Sequence, residues 1–154
     1  MNEMSRIASQ PAYGEAAQAF LKREPKLFIG GEWVGSSHGK TIAVYDPSTG
    51  REIARIVDAS DEDVDRAVAA ARQAFDDGRW SGLPSYKRER LIEKLADLLE
   101  AAIPELAELE SIDNGKPRAA SQGYDLPKCV QTLRYMAGWA TKLTGEHIEP
   151  SSFP

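Results

Sequence analysis

The chain has 154 residues, of which 42% are hydrophobic, and a formal net charge of −5 at pH 7. This composition is typical of one globular domain and argues against disorder throughout the chain. Acidic and basic residues are interspersed rather than grouped in blocks, so the sequence offers no basic face for nucleic acid and no cationic amphipathic helix for a membrane surface.

Targeting signals are also missing from the sequence. The stretch 1–24 contains no apolar core of the length found in secretory signals, and no later run approaches the ~20 apolar residues of a membrane span. Cys129 is the single cysteine and cannot form an internal disulfide. We therefore predict a cytoplasmic protein that binds neither nucleic acid nor a membrane.

The first third of the chain combines short β patterns with turn residues. Residues 1–25 are predicted to form a mobile leader with one short helix over 15–22. Gly30-Gly31 and the segment 46–50, DPSTG, are typical hairpin turns. The turns join four short β patterns in pairs: Leu27–Ile29, Glu32–Val34, Thr41–Tyr45 and Glu52–Val57. The sequence predicts a small antiparallel β region here.

The first long helical pattern begins at Ser60, where the hydrophobic period changes to that of a helix. Ser60 and Asp63 resemble a capping box, and the acidic residues of the first turn suit the helix dipole. Gly78 is predicted to end this helix. The residues on its apolar face are Val64, Ala67, Val68, Ala71 and Phe75.

Two further helical regions follow. The second begins near Ser85 and breaks at Pro104, because proline lacks an amide donor and clashes with the preceding turn. Its continuation carries Leu106, Leu109 and Ile112. The third begins near Leu126 and is predicted to run to Gly145.

No β-branched run of strand length lies between Ser60 and Gly145. The chain therefore does not encode the alternating βαβ units that a dinucleotide-binding sheet needs. As it stands, the chain is predicted to be α+β and mostly helical, with an antiparallel β region followed by several helices.

The stretch LESIDNGKP gathers polar residues at the end of a helical pattern. A phosphate loop needs a glycine five positions before its Gly-Lys and a Ser or Thr after it, but the chain has Glu110 and Pro117 at those positions. A helix end fits better, with Asn114 or Gly115 in the left-handed cap. Lys116 would then meet the exposed carbonyls, and Pro117 would prevent the helix from continuing.

Other candidate sites have simpler interpretations. Cys129 lies in a helical pattern and has no evident partner in His38 or His147, so we expect a packed or partly exposed thiol. Trp139, with Tyr135 and Trp80, is expected to pack in the core rather than to stack on a ligand. The acidic groups are interpreted as partners of the helix dipole and solvated turn residues: Asp61, Glu62, Asp63, Asp76 and Asp77.

Seven segments, in chain order, carry a family resemblance: LFIGGEWV (27–34), VYDPSTG (44–50), EIA (52–54), DVDRAVAAARQAF (63–75), ADLLE (96–100), LESIDNGKP (109–117) and LRYMAGW (133–139). Together they resemble the amino-terminal part of the NAD(P)-dependent aldehyde dehydrogenases. Within that family, QAFL (18–21) and RER (88–90) are most similar to phenylacetaldehyde dehydrogenases.

The resemblance implies an enzyme with an α/β parent fold that oxidises an aldehyde to a carboxylic acid with NAD or NADP. It also implies that the nucleophilic cysteine, the glutamate base, the oxyanion asparagine and the coenzyme turn lie carboxy-terminal to this region. We therefore expect the chain alone to be inactive and to bind no coenzyme, with no catalytic or coenzyme-binding residue of its own.

The resemblance further implies roles for five residues. Asp113, with the main-chain carbonyls of Val44 and Tyr45, would contribute to a structural site for a monovalent cation, Na⁺ or K⁺. Tyr124 and Lys128 match positions that border the substrate tunnel. A lysine at position 128 departs from the family pattern.

By the same resemblance, residues 26–145 form an incomplete N-terminal part of the coenzyme-binding domain. Residues 146–154 would begin an extended oligomerisation segment, which makes a homo-oligomer or association with another aldehyde dehydrogenase chain the expected assembly. An alternative hypothesis stays open: the chain is a non-catalytic interaction module that joins a complete or complementary aldehyde dehydrogenase chain.

Overall fold

The computed structural model describes residues 13–146. In chain order the elements of this part are α1 (Glu15–Leu21), β1 (Leu27–Ile29), β2 (Glu32–Val34), β3 (Thr41–Tyr45), β4 (Glu52–Val57), α2 (Asp61–Asp76), α3 (Ser85–Ala101), α4 (Ile103–Asn114), α5 (Arg118–Ala120), a π-helical segment (Ser121–Asp125) and α6 (Leu126–Trp139). None of these helices is both long and apolar enough to cross a membrane.

The four strands form two separate antiparallel hairpins, β1 with β2 and β3 with β4. Gly30 and Gly31 close the first hairpin with φ values of 63° and 94°, a conformation that residues with a Cβ rarely adopt. The ladder of the second hairpin is irregular between Val44 and Tyr45. The predicted strands and their antiparallel pairing are confirmed.

Asp46 organises the turn between β3 and β4. Its buried carboxylate accepts hydrogen bonds from Ser48 N at 2.7 Å and Thr49 Oγ1 at 2.9 Å, and Tyr13 Oη donates at 3.4 Å. Gly50 N closes the turn on the Asp46 carbonyl at 2.8 Å. The Ser48 amide is the main reason that the pKa of Asp46 lies below its usual value.

Helix α2 begins and ends as predicted. Ser60 and Asp63 form a reciprocal capping box, and Gly78, with φ of 71°, follows the last turn. The predicted apolar face exists but is not covered within residues 13–146, since half or more of each of its large side chains is exposed. These side chains are Val64, Val68 and Phe75.

Helices α3 and α6 make the most extensive helix–helix contact of the described chain. Ala96 on α3 and Ala137 on α6 are completely buried. At the edge of this contact, Arg134 donates to Asp97 at 2.9 Å and to Glu100 at 2.6 Å. The small residues let the two helices approach closely, and the ion pairs lie at the solvent boundary.

Helix α4 starts directly after α3, with Pro104 in its first turn, where a missing amide costs no hydrogen bond. The predicted break at Pro104 is confirmed. Helix α1 packs on α4: Ala17 is completely buried, and Gly14 N donates to Glu108 Oε1 at 2.7 Å. The predicted division into a leader to residue 25, a domain over 26–145 and a segment over 146–154 stays a prediction. Residues 1–12 and 147–154, and His147 with them, lie outside the described residues.

The third helical region differs from its prediction at both ends. Helical structure begins at Arg118, well before Leu126, and α6 ends at Trp139 rather than continuing to Gly145. Residues 118–125 carry little apolar periodicity, so the sequence pattern did not reveal them. After Trp139, hydrogen bonds of the i→i−3 type tighten the chain and end the helix.

The predicted core packing of the aromatic residues is wrong. Trp139 is 46% exposed, and Tyr135 and Trp80 are exposed as well. The Tyr135 and Trp139 rings contact each other edge to face, with centroids 6.3 Å apart. The apolar side of α6 is wider than the surface that α3 covers. The buried hydrophobic residues of the described chain are mostly small: Ala17, Ala96, Ala107, Ile112, Val130 and Ala137.

Candidate functional site

The LESIDNGKP stretch forms the end of α4. Gly115 takes the left-handed conformation, with φ of 77° and ψ of 9°, and its amide donates to the Ser111 carbonyl at 3.0 Å. Lys116 N donates to Asn114 Oδ1 at 2.8 Å, and Ser111 Oγ donates to the Lys116 carbonyl at 2.5 Å. The predicted helix end is confirmed, with Gly115 as the cap residue.

The prediction for the Lys116 side chain is wrong. Its ammonium does not meet the carbonyls at the end of α4 but pairs with the carboxylate of Asp125 in the π-helical segment. A carboxylate carries a full charge, whereas a helix end offers partial charges, so the ion pair is the stronger partner. The hydrogen bond to Asp125 raises the pKa of Lys116 above its usual value.

The π-helical segment contacts α4 through a second polar pair. Ser121 is completely buried, and its hydroxyl donates to the carboxylate of Glu110. The Leu126 amide donates to the Ser121 carbonyl five residues earlier, which defines the π turn. Tyr124 lies within this turn and is 69% exposed.

Tyr124 in the π-helical segment and Lys128 in the first turn of α6 are both exposed. Lys128 Nζ donates to Gln131 Oε1 at 2.9 Å. Cys129, the neighbouring residue on α6, is exposed. The two residues expected to border the substrate tunnel therefore both lie, exposed, on the continuous helical stretch formed by the π-helical segment and α6.

The cation candidates lie where two elements meet. Asp113 is an exposed residue in the last turn of α4. A Cβ placed on Gly115 would lie 3.1 Å from Pro47 Cγ, so the end of α4 touches the turn that follows Val44 and Tyr45. Residues 13–146 contain no group of three or more His, Cys, Asp or Glu side chains placed to hold a metal ion. A cation at this junction would therefore depend largely on main-chain oxygens, which suit hard monovalent ions.

Asp63 belongs to a polar cluster that the sequence reasoning missed. Its carboxylate is 1% exposed, and it accepts hydrogen bonds from Ser36 Oγ at 2.6 Å, Ser37 N at 3.2 Å, Ser60 N at 3.0 Å and Arg66 Nη2 at 2.6 Å. Asp63 is thus not a solvated residue. The hydrogen bond from Ser36 is the main cause that holds its pKa well below the usual value. The cluster ties the segment after β2 to the start of α2.

Comparison with known families identifies the chain. Residues 33–153 match the model of the aldehyde dehydrogenase family. The chain belongs to the aldehyde dehydrogenase family. The NAD⁺ complex of an aldehyde dehydrogenase from Bacillus cereus is 43% identical and superposes with a TM-score of 0.86, over 93% of this chain and 29% of that one. The α+β arrangement seen here thus corresponds to part of the larger fold of that enzyme.

Curated relatives give the same result. The cytosolic aldehyde dehydrogenase 1 of Elephantulus edwardii is 48% identical over 124 residues, which are 80% of this chain and 25% of the relative. The phenylacetaldehyde dehydrogenase of Pseudomonas fluorescens is 43% identical over 131 residues, 85% of this chain and 26% of the relative. The chain spans about a quarter of the length of these relatives. The sequence identities to these relatives are too close to one another to assign the chain to a subfamily. The likeness to phenylacetaldehyde dehydrogenases therefore stays a prediction.

Proposed function

We propose that this chain supplies the amino-terminal part of an NAD(P)-dependent aldehyde dehydrogenase that oxidises an aldehyde to a carboxylic acid in the cytoplasm. One observation carries the proposal: 93% of the chain superposes, at 43% identity and a TM-score of 0.86, on part of an enzyme solved with NAD⁺. The name of the cytosolic relative supports the cytoplasmic location. Aldehyde is the proposed substrate class, and NAD(P) is the proposed hydride acceptor.

The chain alone is proposed to be inactive and to bind no coenzyme. The strands of residues 13–146 form antiparallel hairpins only, whereas dinucleotides bind at the carboxyl ends of parallel strands. Cys129 is an exposed residue of α6, and by resemblance it does not match the family nucleophile. Both the coenzyme site and the reactive thiolate would come from carboxy-terminal sequence of the kind found in the longer relatives.

The site residues of the chain are proposed to serve the complete enzyme. Tyr124 and Lys128 would border the aldehyde tunnel, a role supported by their exposure on one stretch of chain. Asp113 and the carbonyls of Val44 and Tyr45 would help to hold Na⁺ or K⁺, which is supported by the contact between the end of α4 and the β3–β4 turn. The irregular ladder between Val44 and Tyr45 favours this role, because a bulge disrupts the local pairing of backbone groups.

A chimera tests the proposal. Residues 1–154 would replace the corresponding part of the Bacillus cereus enzyme, which supplies the remaining sequence. We expect the purified chimera to produce NADH from NAD⁺ only when an aldehyde is added, and the Cys129→Ala chimera to do so at the same rate within about twofold. A folded chimera without aldehyde-dependent NADH production, or a loss of activity in the Cys129→Ala control, would contradict the proposal.

A second candidate function is a non-catalytic interaction module that joins a complete or complementary aldehyde dehydrogenase chain. The observation in its favour is the exposure of large apolar side chains on several helices, because such patches usually mark interfaces. These side chains include Val68 and Phe75 on α2, Leu91, Leu95 and Leu98 on α3, and Met136 on α6.

Size-exclusion chromatography separates this candidate from the first. An interaction module should elute with a partner aldehyde dehydrogenase chain, and Phe75→Lys with Val68→Lys should release it from that chain. The exposed Glu93→Lys variant is the matched control for added charge. A monodisperse monomer that captures no aldehyde dehydrogenase chain would exclude the module.

A further inference from the structure

The π turn between α5 and α6 needs an explanation. The Leu126 amide reaches back five residues to the Ser121 carbonyl, whereas an α-helix would use the residue four positions earlier. The backbone on both sides stays helical, with φ and ψ of −71° and −46° at Ala120 and −68° and −43° at Leu126. The turn thus contains one residue more than a turn of α-helix, and the helical backbone continues through it without a break. Such turns are rare and occur frequently at functional sites.

Two polar pairs tie the two ends of this turn to α4 and its cap. Ser121, the first residue of the turn, donates its hydroxyl to the Glu110 carboxylate and is completely buried. Asp125, the last residue of the turn, accepts from the Lys116 ammonium. We call these four residues, Glu110, Lys116, Ser121 and Asp125, the π-turn clamp. The clamp holds both ends of the turn against the same neighbouring helix end.

The clamp is itself held in place by the end of α4. The main chain of Lys116 is fixed on both sides, because its amide donates to Asn114 Oδ1 at 2.8 Å and its carbonyl accepts from Ser111 Oγ at 2.5 Å. The hydrogen bond to Asp125 is the main cause that raises the pKa of Lys116, and the negative charge of Glu110 acts in the same direction. The polar residues of LESIDNGKP therefore do more than end a helix.

Tyr124 is the side chain that depends on this arrangement. It lies inside the turn, one residue before Asp125, and is 69% exposed. Converting the π turn to an α turn would rewind the backbone between Ser121 and Leu126 and so change the direction of Tyr124 relative to α6. Gly123 has open space around it, so packing at this neighbour does not fix the turn. The clamp is the polar link between this turn and α4, and it therefore bears on the direction of Tyr124.

We propose that Glu110 and Lys116 are positioning residues that hold the π turn, and through it Tyr124, in the orientation that sets which aldehydes the enzyme accepts. The proposal rests on the proposed function, since it takes Tyr124 to border the aldehyde tunnel. Neither Glu110 nor Lys116 touches the substrate. Their effect on specificity passes through the backbone of the turn.

Hydrogen exchange in the 154-residue chain tests the structural half of the proposal. In Lys116→Met and in Ser121→Ala, the Leu126 amide is expected to exchange at least about tenfold faster than in the original chain, because its bond to Ser121 opens more often. Lys116→Arg should restore slow exchange by keeping the ion pair. Glu100→Gln, which removes a different ion pair of α6, should leave the Leu126 amide unchanged. Equal exchange in all four variants would overturn the proposal.

Specificity in the chimera tests the functional half. Lys116→Met is expected to change the ratio of kcat/KM for phenylacetaldehyde to that for acetaldehyde by about fivefold or more, mainly through KM. Tyr124→Ala should change it similarly, and the double variant should not differ from Tyr124→Ala, because both act through one side chain. A uniform loss for both aldehydes, or additive effects, would overturn the positioning role. An inactive chimera with the original sequence would instead contradict the proposed function.

Discussion

Replacing Asp63 with alanine is expected to lower the melting temperature of the chain by roughly 8 °C or more. The buried carboxylate is the shared acceptor for Ser36, Ser37, Ser60 and Arg66. Its removal leaves several donors without an acceptor in a site that water reaches poorly, and an unpaired buried polar group costs more than a hydrogen bond contributes. The contact between the β2–β3 segment and the start of α2 would keep the hydrogen bond between Ser37 Oγ and Ser60 Oγ but lose those made by Asp63.

Thermal unfolding followed by circular dichroism measures this effect. Asp61→Ala is the matched control, because Asp61 lies in the same first turn of α2 but is exposed. Asp61→Ala removes only a favourable interaction with the helix dipole, so it should lower the melting temperature by about 1–2 °C. Similar losses for the two variants would show that the Asp63 cluster does not stabilise the fold.

The pH dependence of the stability that Asp63 contributes follows from the direction of its pKa shift. The pKa of Asp63 in the folded chain lies well below its usual value, chiefly because Ser36 donates a hydrogen bond to the carboxylate. A carboxyl whose pKa is depressed on folding stabilises the fold above the unfolded pKa and loses that contribution as the pH falls through the folded value. The difference in melting temperature between the original chain and Asp63→Asn should be constant from pH 7 to 5 and shrink below about pH 4. A difference that persists at low pH would contradict this assignment.

Ala96→Leu is expected to destabilise the chain by about 1–3 kcal/mol, because the added carbon atoms must enter the close contact between α3 and α6. Ala96 is completely buried, and Ala137 is the completely buried small residue of the facing helix. Helix propensity does not explain a loss, since leucine is nearly as good a helix former as alanine.

Urea unfolding measures the free energy of unfolding of Ala96→Leu and of the control variant Ala101→Leu. Ala101 ends the same helix and is exposed, so its leucine variant should unfold within about 0.5 kcal/mol of the original chain. A free energy of unfolding for Ala96→Leu equal to that of the control would mean that α3 and α6 do not pack closely in solution.

Local signals were sufficient for the strands and for most of the helices. Gly30-Gly31 and the Asp46 turn fix their hairpins through backbone conformation and short-range hydrogen bonds, which a sequence displays directly. The same holds for the capping box of α2 and for the cap at Gly115. These features depend on residues within a few positions of one another.

Features that depend on distant residues were not predictable in this way. Asp63 is buried because Ser36, 27 positions earlier, folds back onto it. The π turn is tied to Glu110 of α4 and to Lys116 just after the end of α4, and residues 118–125 carry little apolar periodicity of their own. Trp139 is exposed because the surface that would cover the apolar side of α6 is not formed by the described chain.

The roles of the site residues came from family resemblance rather than from local chemistry. Asp113, Tyr124 and Lys128 are exposed side chains, and nothing in their sequence spacing distinguishes them from other surface residues. What the structure adds is their setting. The end of α4 contacts the β3–β4 turn, and residues at and near the same helix end form the π-turn clamp.

The most direct test of the account is an assay of the purified 154-residue chain with NAD⁺ and an aldehyde. Absorbance at the NADH band should stay at the level of the buffer, while the chimera under the same conditions produces NADH with the aldehyde present. Sustained aldehyde-dependent NADH formation by the chain alone, unchanged after a second purification and abolished by a Cys129→Ala substitution, would contradict the claim that its catalytic groups come from elsewhere.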